Sequence, residues 1–338
     1  MKLLITGGGT GGHLAIAKSL RDAGIRLGHS SSFVGSTSGQ DEQWFKGDDI
    51  FTEVHFLRTS GVVNKRGLVK LFSLFLTLKA TLQAITYVRK VDAVISVGGF
   101  SAAPASFAAV LLRKPYFIHE QNAAIGRLNR LLKPYTKEFF SSYEEDSSVR
   151  DYPVRESFFE KAKERSEIRT LIFLGGSQGA RYINELALKV APLLKEKKIK
   201  VYHQAGKLEI KKVEKAYSDL GIEAEVFAFR DDIDELMQKS DLAVSRSGAS
   251  TLWELCASNL PALYIPYPYA AGDHQFFNAL YLVEKKASWM ARQEEHPYEL
   301  LLELLETDMK EPSQNLKLLI QPNGAEEIIK KVENCLQN

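Results

Sequence analysis

Short apolar runs alternate with longer segments of mixed polarity along the whole chain. In the first half, the apolar runs fall at residues 3–6, 32–34, 51–56, 92–97, 116–118 and 138–140. In the second half, they fall at residues 171–174, 201–204, 225–227, 242–245, 262–265 and 288–290. Strands that alternate with helices in this way predict an α/β protein whose parallel sheets carry helices on both faces.

A glycine-rich turn follows the first strand of each half. Residues 7–12 read Gly-Gly-Gly-Thr-Gly-Gly and residues 175–179 read Gly-Gly-Ser-Gln-Gly, and each turn leads into a predicted helix. Glycine lets backbone N–H groups approach an anion, and a helix start adds roughly half a positive charge there. The repeat therefore predicts two similar halves that face each other with a ligand between them. At the second turn we favour phosphate binding by Ser177 over an ordinary helix cap.

The first turn also fits the dinucleotide-binding pattern Gly-x-Gly-x-x-Gly, which alone is weak evidence. An NAD site needs an acidic residue at the end of the second strand to hold the ribose. Here that strand runs into Gly-Ser-Thr-Ser at residues 35–38, and the next carboxylate is Asp41. Asp41 opens a stretch to Asp49 that we predict to be irregular. NAD is therefore disfavoured, and the second turn lacks the Lys-Ser/Thr pair of a P-loop NTPase.

Residues 65–79 have a helical pattern with apolar side chains on nearly every face. One stripe is predicted to face the sheet, and it consists of Leu68, Leu71, Phe72, Phe75 and Leu78. Further apolar residues fall elsewhere on the helix, beside the cations Lys65, Arg66, Lys70 and Lys79. This second face either dips into an anionic bilayer surface or is covered by neighbouring elements, and the sequence favours neither. We find no apolar run of the roughly 20 residues that a membrane span needs.

The composition is that of a soluble globular protein, with 45% hydrophobic and 25% charged residues among 338. A net charge of +2 gives no general case for a nucleic-acid partner. The two cysteines, Cys256 and Cys335, have neither metal nor redox spacing, which suits a reducing cytoplasm. The chain begins directly with a strand, so we expect no signal peptide and a cytoplasmic protein that can still touch a membrane.

Polar residues follow predicted strands in both halves, where open α/β sheets bind ligands. His119, Glu120 and Asn122 follow the strand at 116–118. Glu254 could accept hydrogen bonds from both hydroxyls of a ribose, although its spacing alone favours a solvated helix glutamate. Gln275 has an amide that could donate to and accept from sugar hydroxyls.

Asp232 and Asp234 form an Asp-x-Asp pair, which some sugar transferases use to bind a metal ion. The pair also lies at a predicted helix start, where carboxylates are common, and we favour that interpretation. The seven histidines show no ligand spacing, so we predict neither a metal site nor a cofactor.

Five motifs, in the same order and over nearly the whole chain, closely resemble one family. They lie at residues 7–13, 119–122, 175–181, 245–249 and 273–279, and they read GGGTGGH, HEQN, GGSQGAR, SRSGA and DHQFFNA. The family is MurG, bacterial transferases that add N-acetylglucosamine (GlcNAc) to undecaprenyl-diphosphate-linked muramoyl-pentapeptide. The resemblance implies a GT-B fold of two Rossmann-like domains facing a cleft. Residues 1–154 plus 322–338 would form the acceptor-binding, membrane-associating domain, and residues 155–321 the UDP-GlcNAc-binding domain.

The resemblance also implies a set of UDP-GlcNAc contacts. Ser177 would meet the diphosphate, Glu254 the ribose, Gln275 the sugar, Arg155 the phosphates and the backbone at Arg230 the uracil. The remaining implied contacts are Thr10, Gly11, Gly12, Asn122, Ala249, Ser250 and Thr251. The chain departs from the family pattern at Ile16, where proline is usual, and at Asp151-Tyr152, where Gly-Asn is usual. The position of Arg230 is often aliphatic in the family.

The implied reaction is an inverting transfer without a metal, in which the muramoyl 4-hydroxyl attacks the anomeric carbon as UDP leaves. We predict His13 as the base, because the helix start favours neutral imidazole, with Glu120 as the alternative. The acceptor is anionic and lipid-anchored, so we expect the protein on the cytoplasmic face of the inner membrane. The predicted membrane-docking residues are Lys65, Arg66, Lys70, Leu71, Phe72, Phe75 and Lys79.

Two rival functions remain open from the sequence. A UDP-GlcNAc 2-epimerase of the same architecture would need no lipid acceptor. A nucleotide-sugar-binding subunit would bind UDP without turnover.

Overall fold

The computed structural model describes residues 1–61, 65–176 and 179–337. The chain divides into two compact units, of which unit 1 is Met1–Val154 with Asn323–Asn338 and unit 2 is Arg155–Pro322. Each unit contains one six-stranded sheet with helices packed on it. The sequence prediction of an α/β protein with parallel sheets is confirmed.

Unit 1 contains the strands β1 (Lys2–Thr6), β2 (Ser30–Ser36), β3 (Val54–Leu57), β4 (Ala93–Ser96), β5 (Tyr116–Glu120) and β6 (Glu138–Ser141). Its helices are α1 (Gly11–Arg26), α2 (Asp41–Phe45), α3 (Gly67–Val88), α4 (Ala103–Leu111) and α5 (Arg127–Leu132). Short 3₁₀ turns lie at Phe100–Ala102 and Lys133–Tyr135.

Unit 2 contains the strands β7 (Thr170–Leu174), β8 (Lys200–Gln204), β9 (Ala224–Phe227), β10 (Leu242–Ser245), β11 (Ala262–Tyr264) and β12 (Trp289–Met290). Its helices are α6 (Ser157–Glu160), α7 (Arg181–Glu196), α8 (Ile210–Asp219), α9 (Ile233–Lys239), α10 (Ala249–Ala257), α11 (His274–Glu284), α12 (Pro297–Leu304) and α13 (Lys310–Lys317). A 3₁₀ turn lies at Ala271–Asp273, and the last helix, α14 (Gly324–Gln337), belongs to unit 1 and packs on α1.

The two sheets have the same topology. Their strand orders are β3-β2-β1-β4-β5-β6 and β12-β11-β10-β7-β8-β9, and the strand pairings are parallel. Counted from the start of each unit, both orders are 3-2-1-4-5-6, the doubly wound Rossmann order. The repeat in the sequence therefore reflects two similar halves, and each sheet reverses its winding beside its first strand.

The apolar runs become central strands because helices cover both faces of each sheet. Leu3, Leu4 and Ile5 of β1 are all fully buried, as are Leu171 and Phe173 of β7. A parallel strand covered on both faces has no solvent side, so its sequence is continuously apolar instead of alternating.

The prediction that residues 41–49 are irregular is wrong for the first part of that stretch. Asp41–Phe45 form α2, and Asp41 is buried. Phe45 anchors the helix, because its ring packs against Phe33 at 4.7 Å and Phe51 at 5.1 Å between centroids. The polar sequence around Phe45 concealed this anchor.

The prediction that the α3 stripe faces the sheet is also wrong. Leu68 is 84% exposed, and Leu71 and Phe75 are each 62% exposed. The side of α3 that packs toward α4 carries small residues instead, namely Ser73, Thr77, Ala80, Thr81 and Ala84. The three hydroxyls bond to the carbonyl four residues earlier in the same helix, so these polar side chains are buried with a partner.

Helix α3 also corrects the expectation that no segment could span a membrane. Its 22 residues are long and apolar enough to do so by length and composition. In this fold, however, its small-residue side is buried in unit 1. The helix therefore lies along the surface of that unit with its large apolar side chains pointing outward.

Candidate active site

The strand order indicates where each unit binds a ligand. Doubly wound sheets bind ligands at the carboxyl ends of the strands where the winding reverses. That point lies between β1 and β4 in unit 1 and between β7 and β10 in unit 2. The glycine turns at 7–12 and 175–179 follow β1 and β7 directly, so the sequence motifs do fall at these points.

In unit 1 two glycine segments pack backbone against backbone. Gly8 N–H donates to the Gly98 carbonyl at 3.1 Å. A Cβ atom on Gly99 would lie 2.2 Å from the Gly8 oxygen, and one on Gly7 would lie 2.4 Å from the Gly98 oxygen. Larger residues would separate the two segments, which explains the glycines that follow β1 and β4.

The predicted residues Thr10, Gly11, Gly12 and His13 lie together at the start of α1. Thr10 is exposed, and its Oγ1 is 2.8 Å from Nδ1 of His13. The other ring nitrogen of His13, Nε2, lies 3.4 Å from the place where a Cβ on Gly98 would stand. The turn after β4 therefore leaves room for the histidine ring.

His119, at the end of β5, lies behind this turn. It is buried, and its ring makes an edge contact with Tyr152 at 5.4 Å between centroids. Burial, together with the smaller effect of the charge of nearby His13, lowers the pKa of His119 to about 3. His119 is therefore neutral at physiological pH.

Glu120 is buried and holds the loop that follows β5. One carboxylate oxygen accepts from the Asn122 N–H at 3.0 Å, and the other accepts from the Gly126 N–H at 2.9 Å and Asn129 Nδ2 at 2.8 Å. Asn122 thus lies next to Glu120 in unit 1, as their shared motif predicts. These bonds use both oxygens of the carboxylate.

In unit 2 the predicted phosphate residue Ser177 lies outside the described residues. The preceding Gly176 N–H donates to Oε1 of Gln204, the last residue of β8, at 3.0 Å. A Cβ on Gly175 would come within 2.8 Å of the Ala180 nitrogen. Gly175 is therefore tightly packed against Ala180 and against the end of β8, to which Gly176 is hydrogen-bonded.

The residues Ala249, Ser250 and Thr251 form the first turn of α10, after Gly248 at its N-terminus. Glu254 follows one turn later and is partly buried, unlike the solvated glutamate that the spacing favoured. Its pKa is raised from 4.5 to about 7, mainly by burial. The Arg155 guanidinium opposes this rise, and the Asp234 carboxylate adds to it. Arg155 is largely exposed, and its Nη2 is 3.9 Å from Asp234 Oδ1.

Gln275 lies in the first turn of α11, where its Oε1 accepts from the Tyr267 N–H at 2.9 Å. Its amide oxygen therefore holds the loop after β11, and its Nε2 group is the part that can donate to a sugar hydroxyl. Arg246, which follows β10, fixes the same loop through the carbonyls of Ile265 and Pro266, at 2.9 and 3.1 Å. The sequence analysis missed Arg246, although a charged residue directly after a buried strand is a signal for such a role.

The side chain of Arg230 is occupied by carboxylates. It donates to Asp232 through Nε at 2.7 Å and also pairs with Glu225. The guanidinium lowers the pKa of Asp232. The Asp-x-Asp pair does lie at a helix start, since α9 begins at Ile233, but its partners are Arg230 for Asp232 and Arg155 for Asp234. Over residues 1–61, 65–176 and 179–337, no three His, Cys, Asp or Glu side chains are grouped so that they could hold a metal ion.

The predicted membrane-docking residues lie at and along the first half of α3. Leu71, Phe72 and Phe75 are exposed, and so are Arg66, Lys70 and Lys79. Lys65 differs, because its Nζ donates to the hydroxyls of Ser60 and Ser73. Ser73 is on the buried side of α3, so the ammonium group of Lys65 points away from the apolar face.

Comparison with known families identifies both units. The profile described as the glycosyltransferase family 28 N-terminal domain matches residues 3–141, and that described as the C-terminal domain matches residues 170–332. Together these matches cover most of the chain.

Curated relatives match over nearly their full length. A UDP-N-acetylglucosamine--N-acetylmuramyl-(pentapeptide) pyrophosphoryl-undecaprenol N-acetylglucosamine transferase of a Sulfurovum species is 49% identical over 99% of both chains. A protein of the same name from Wolinella succinogenes is 48% identical over 96% of this chain and 98% of its own.

Among solved structures, the crystal structure of MurG from Acinetobacter baumannii is similar over 98% of this chain and 99% of that one. The two share 26% sequence identity with a TM-score of 0.79.

Proposed function

The chain belongs to glycosyltransferase family 28, and we infer that it transfers N-acetylglucosamine from UDP-GlcNAc to N-acetylmuramyl-pentapeptide carried on undecaprenyl diphosphate. This is a step of peptidoglycan synthesis. The inference rests on the 49% identity with a transferase of that name across 99% of both chains. The rival functions, an epimerase and a binding subunit, have no comparable support.

We propose that unit 2 binds the donor. The first turn of α10 presents the N–H groups of Ala249, Ser250 and Thr251, and helix starts attract phosphates. Glu254, one turn further, accepts hydrogen bonds from the ribose hydroxyls when it is ionised. Gln275 donates its Nε2 group to the sugar, because its oxygen is bonded to Tyr267. Ser177 is proposed for the diphosphate from its motif alone, and the backbone at Arg230 for the uracil.

The leaving diphosphate gains negative charge as the glycosidic bond breaks. The start of α10 and the guanidinium of Arg155 stabilise that charge without a metal. Arg155 suits this role because its contact with Asp234 is long, at 3.9 Å, and the side chain is largely exposed. A weak surface ion pair of this kind is readily exchanged for a phosphate.

We propose His13 as the base that removes the proton from the acceptor hydroxyl. For Nε2 to accept that proton, Nδ1 must carry the ring hydrogen and donate it to Thr10 Oγ1, 2.8 Å away. Thr10 thus orients the imidazole, and its hydroxyl can accept this hydrogen. Gly11 and Gly12 keep the turn beside it free of side chains.

Glu120 is a poorer candidate for the base. Its carboxylate is buried and accepts three hydrogen bonds at 2.8–3.0 Å, from two backbone N–H groups and Asn129. Both carboxylate oxygens are therefore already engaged, so accepting a proton from the acceptor would mean giving up one of these hydrogen bonds. Its proposed role is to hold the loop that carries Asn122.

The outer face of α3 is proposed to dock on an anionic membrane surface. Leu71, Phe72 and Phe75 supply the apolar contact, and Arg66, Lys70 and Lys79 supply the attraction to acidic headgroups. A lipid-anchored acceptor requires the enzyme to work at a bilayer. The corresponding location is the cytoplasmic face of the inner membrane, with the protein held peripherally.

The test is transfer of labelled GlcNAc from UDP-GlcNAc to a lipid-linked muramoyl-pentapeptide analogue, with and without EDTA. Product formed in the presence of EDTA supports a metal-independent transferase. Product lost to EDTA would contradict metal independence and make Asp232 and Asp234 candidate ligands. Conversion of UDP-GlcNAc to its 2-epimer, or UDP binding without any product, would overturn the proposed function.

A further inference from the structure

Asp41 is a fully buried carboxylate for which the proposed chemistry has no use. It is the first residue of α2, directly after the loop that follows β2. Burying a carboxylate without a cation is costly, so its surroundings must satisfy it. Within the described part of unit 1, the groups that do so belong to the loops at the end of the sheet.

Two backbone N–H groups bind this carboxylate. Gly9 N–H donates to Oδ1 at 2.5 Å, and Ser36 N–H donates to Oδ2 at 2.8 Å. Burial raises the pKa of Asp41, while these two N–H groups lower it. The carboxylate therefore joins the glycine turn after β1 to the end of β2.

The fit around Asp41 is close on two sides. A Cβ atom on Gly8 would lie 2.5 Å from its Oδ1, and one on Gly35 would lie 2.8 Å from its Oδ2. Neither glycine can be enlarged without moving the carboxylate, and the carboxylate cannot shift without losing a hydrogen bond. The geometry of the glycine turn thus depends on this side chain as well as on the backbone contact with Gly98 and Gly99.

The turn in unit 2 is held differently. There the Gly176 N–H donates at 3.0 Å to the neutral side-chain oxygen of Gln204, the last residue of that unit's second strand. In both units a side chain at or just after the second strand holds the glycine turn. In unit 1 that side chain is a carboxylate, which binds an N–H group more strongly than an amide oxygen does.

A short path leads from Asp41 to the reacting group. Gly9 is bound by Asp41, the next residue is Thr10, and Thr10 Oγ1 lies 2.8 Å from His13 Nδ1. Gly9 has a positive φ of +85°, so an unbound turn could adopt many other conformations. Fixing Gly9 fixes the position of Thr10, and Thr10 orients the imidazole through its hydrogen bond to Nδ1.

We propose that Asp41 is a positioning residue for catalysis, which fixes the Thr10–His13 pair through the backbone of Gly9. This inference rests on the proposed role of His13 as the base. It makes no claim that Asp41 touches either substrate.

The test compares the kcat and the KM for UDP-GlcNAc of Asp41→Asn with those of Asp48→Asn, with the acceptor held at a saturating concentration. An amide at position 41 must face one of the two N–H donors with its own NH₂ group, so the turn shifts. We expect kcat to fall roughly 10- to 100-fold, with the KM for UDP-GlcNAc within about twofold of the parent. Asp48 pairs with Arg21 at 2.5 Å in the same unit, so its variant controls for lost stability without touching the turn.

A double-mutant cycle separates positioning from a general structural effect. If Asp41 acts through His13, then Asp41→Asn lowers kcat in the parent but not in the His13→Ala background. An equal loss in both backgrounds, or a kcat that follows only the folded fraction measured by thermal unfolding, would overturn the inference. Full activity of His13→Ala would instead overturn the proposed base.

Two further variants cover the case in which Asp41→Asn does not fold. Asp41→Glu keeps the charge, but its extra methylene must displace either Gly9 or Ser36, so kcat falls as well. Thr10→Val changes an exposed side chain and removes only the last link to His13, and it is expected to lower kcat at unchanged thermal stability. Parental kcat in both variants would contradict the proposed path.

Discussion

Oγ1 of Thr10 lies 2.8 Å from Nδ1 of His13, three residues further along the first turn of α1. This hydrogen bond fixes the orientation of the imidazole, and it fits either ring tautomer because a hydroxyl can both donate and accept. With hydrogen on Nδ1, the Nε2 atom that borders Gly98 is the basic one.

Replacing His13 removes the proposed base. We expect His13→Ala to lower kcat by roughly 10²- to 10⁴-fold, the range typical of a lost general base, with little change in the KM for UDP-GlcNAc. His55→Ala is the control, because His55 stacks on Tyr87 at 3.8 Å elsewhere in unit 1. Steady-state kinetics of the two variants tests this role. A His13→Ala enzyme that keeps most of the parental kcat would exclude His13 as the base.

Enlarging Gly98 should disturb His13 directly. The φ of Gly98 is +87°, and a Cβ there would lie 3.4 Å from His13 Nε2 and 3.3 Å from Asn129 Nδ2. Gly47 has a similar φ of +83° with nothing within 4 Å of a Cβ. Both Gly→Ala variants should therefore lose about 1–2 kcal/mol of unfolding free energy to backbone strain, measured by chemical denaturation.

Only Gly98→Ala is expected to lower kcat as well, because only its methyl group meets the imidazole. Loss of kcat in both variants would assign the effect to stability alone.

Donor binding should depend on pH through Glu254. Burial raises its pKa from 4.5 to about 7, so the carboxylate that binds the ribose forms only as pH rises through that range. We expect the Kd for UDP-GlcNAc, whose diphosphate has no terminal phosphate group to titrate in this range, to fall between about pH 6 and 8 when measured by calorimetry, and Glu254→Gln to remove this dependence. A Kd with the same pH profile in the parent and in Glu254→Gln would argue against the ribose contact.

The same raised pKa affects stability with a definite sign. Between pH 4.5 and about 7 the folded protein holds a proton on Glu254 that the unfolded chain has released. The contribution of Glu254 to stability therefore decreases as pH rises through that window and is constant above it. Between pH 4.5 and 7 the melting temperature of Glu254→Gln should therefore decrease less than that of the parent. Asp232→Asn is the control: the pKa of Asp232 is lowered, so its melting temperature should decrease as much as that of the parent.

The outer face of α3 should bind vesicles that contain anionic lipid. Two phenyl groups that enter the bilayer contribute about 3–6 kcal/mol of apolar transfer energy, so Phe72→Ser with Phe75→Ser should weaken binding by at least about 100-fold in co-sedimentation. Leu208→Ser in unit 2 is the control, since Leu208 is 90% exposed on another surface. Undiminished binding of the double variant would rule out this face.

The cations around that face should differ in importance. Each exposed cation near an anionic bilayer contributes about 1 kcal/mol, and Arg66 and Lys70 are exposed. Lys65 donates to Ser60 and Ser73, so Lys65→Gln should weaken vesicle binding less than Lys70→Gln. An equal loss of vesicle binding in the two variants at low salt would indicate that Lys65 also faces the lipid.

The strands and the glycine turns were predictable because they depend on local sequence. A continuous apolar run such as Leu3–Leu4–Ile5 fits a strand covered on both faces, and a repeated turn after it indicates a repeated fold. Which face of α3 packs on the protein was not predictable. Helical periodicity shows that Leu71 and Phe75 share a face, but it cannot show whether protein or another medium lies against that face.

The environment of single carboxylates was also beyond the sequence. Asp41 occurs in a polar stretch and Glu254 is a single carboxylate in an apolar helix, yet the first is fully buried and the second partly so. What buries them is distant in the chain, since Gly9 binds Asp41 and Arg155 affects the pKa of Glu254. Contacts of this range depend on the assembled sheet and not on local spacing.

The outward face of α3 also affects the tendency of this protein to self-associate. Eight large apolar side chains are exposed on that helix. The side of the helix that packs on unit 1 carries smaller residues instead, among them Ser73, Thr77 and Thr81. An apolar patch of this kind promotes self-association when nothing covers it. Overproduced protein is therefore expected to self-associate through this patch, unless an anionic bilayer covers it as proposed.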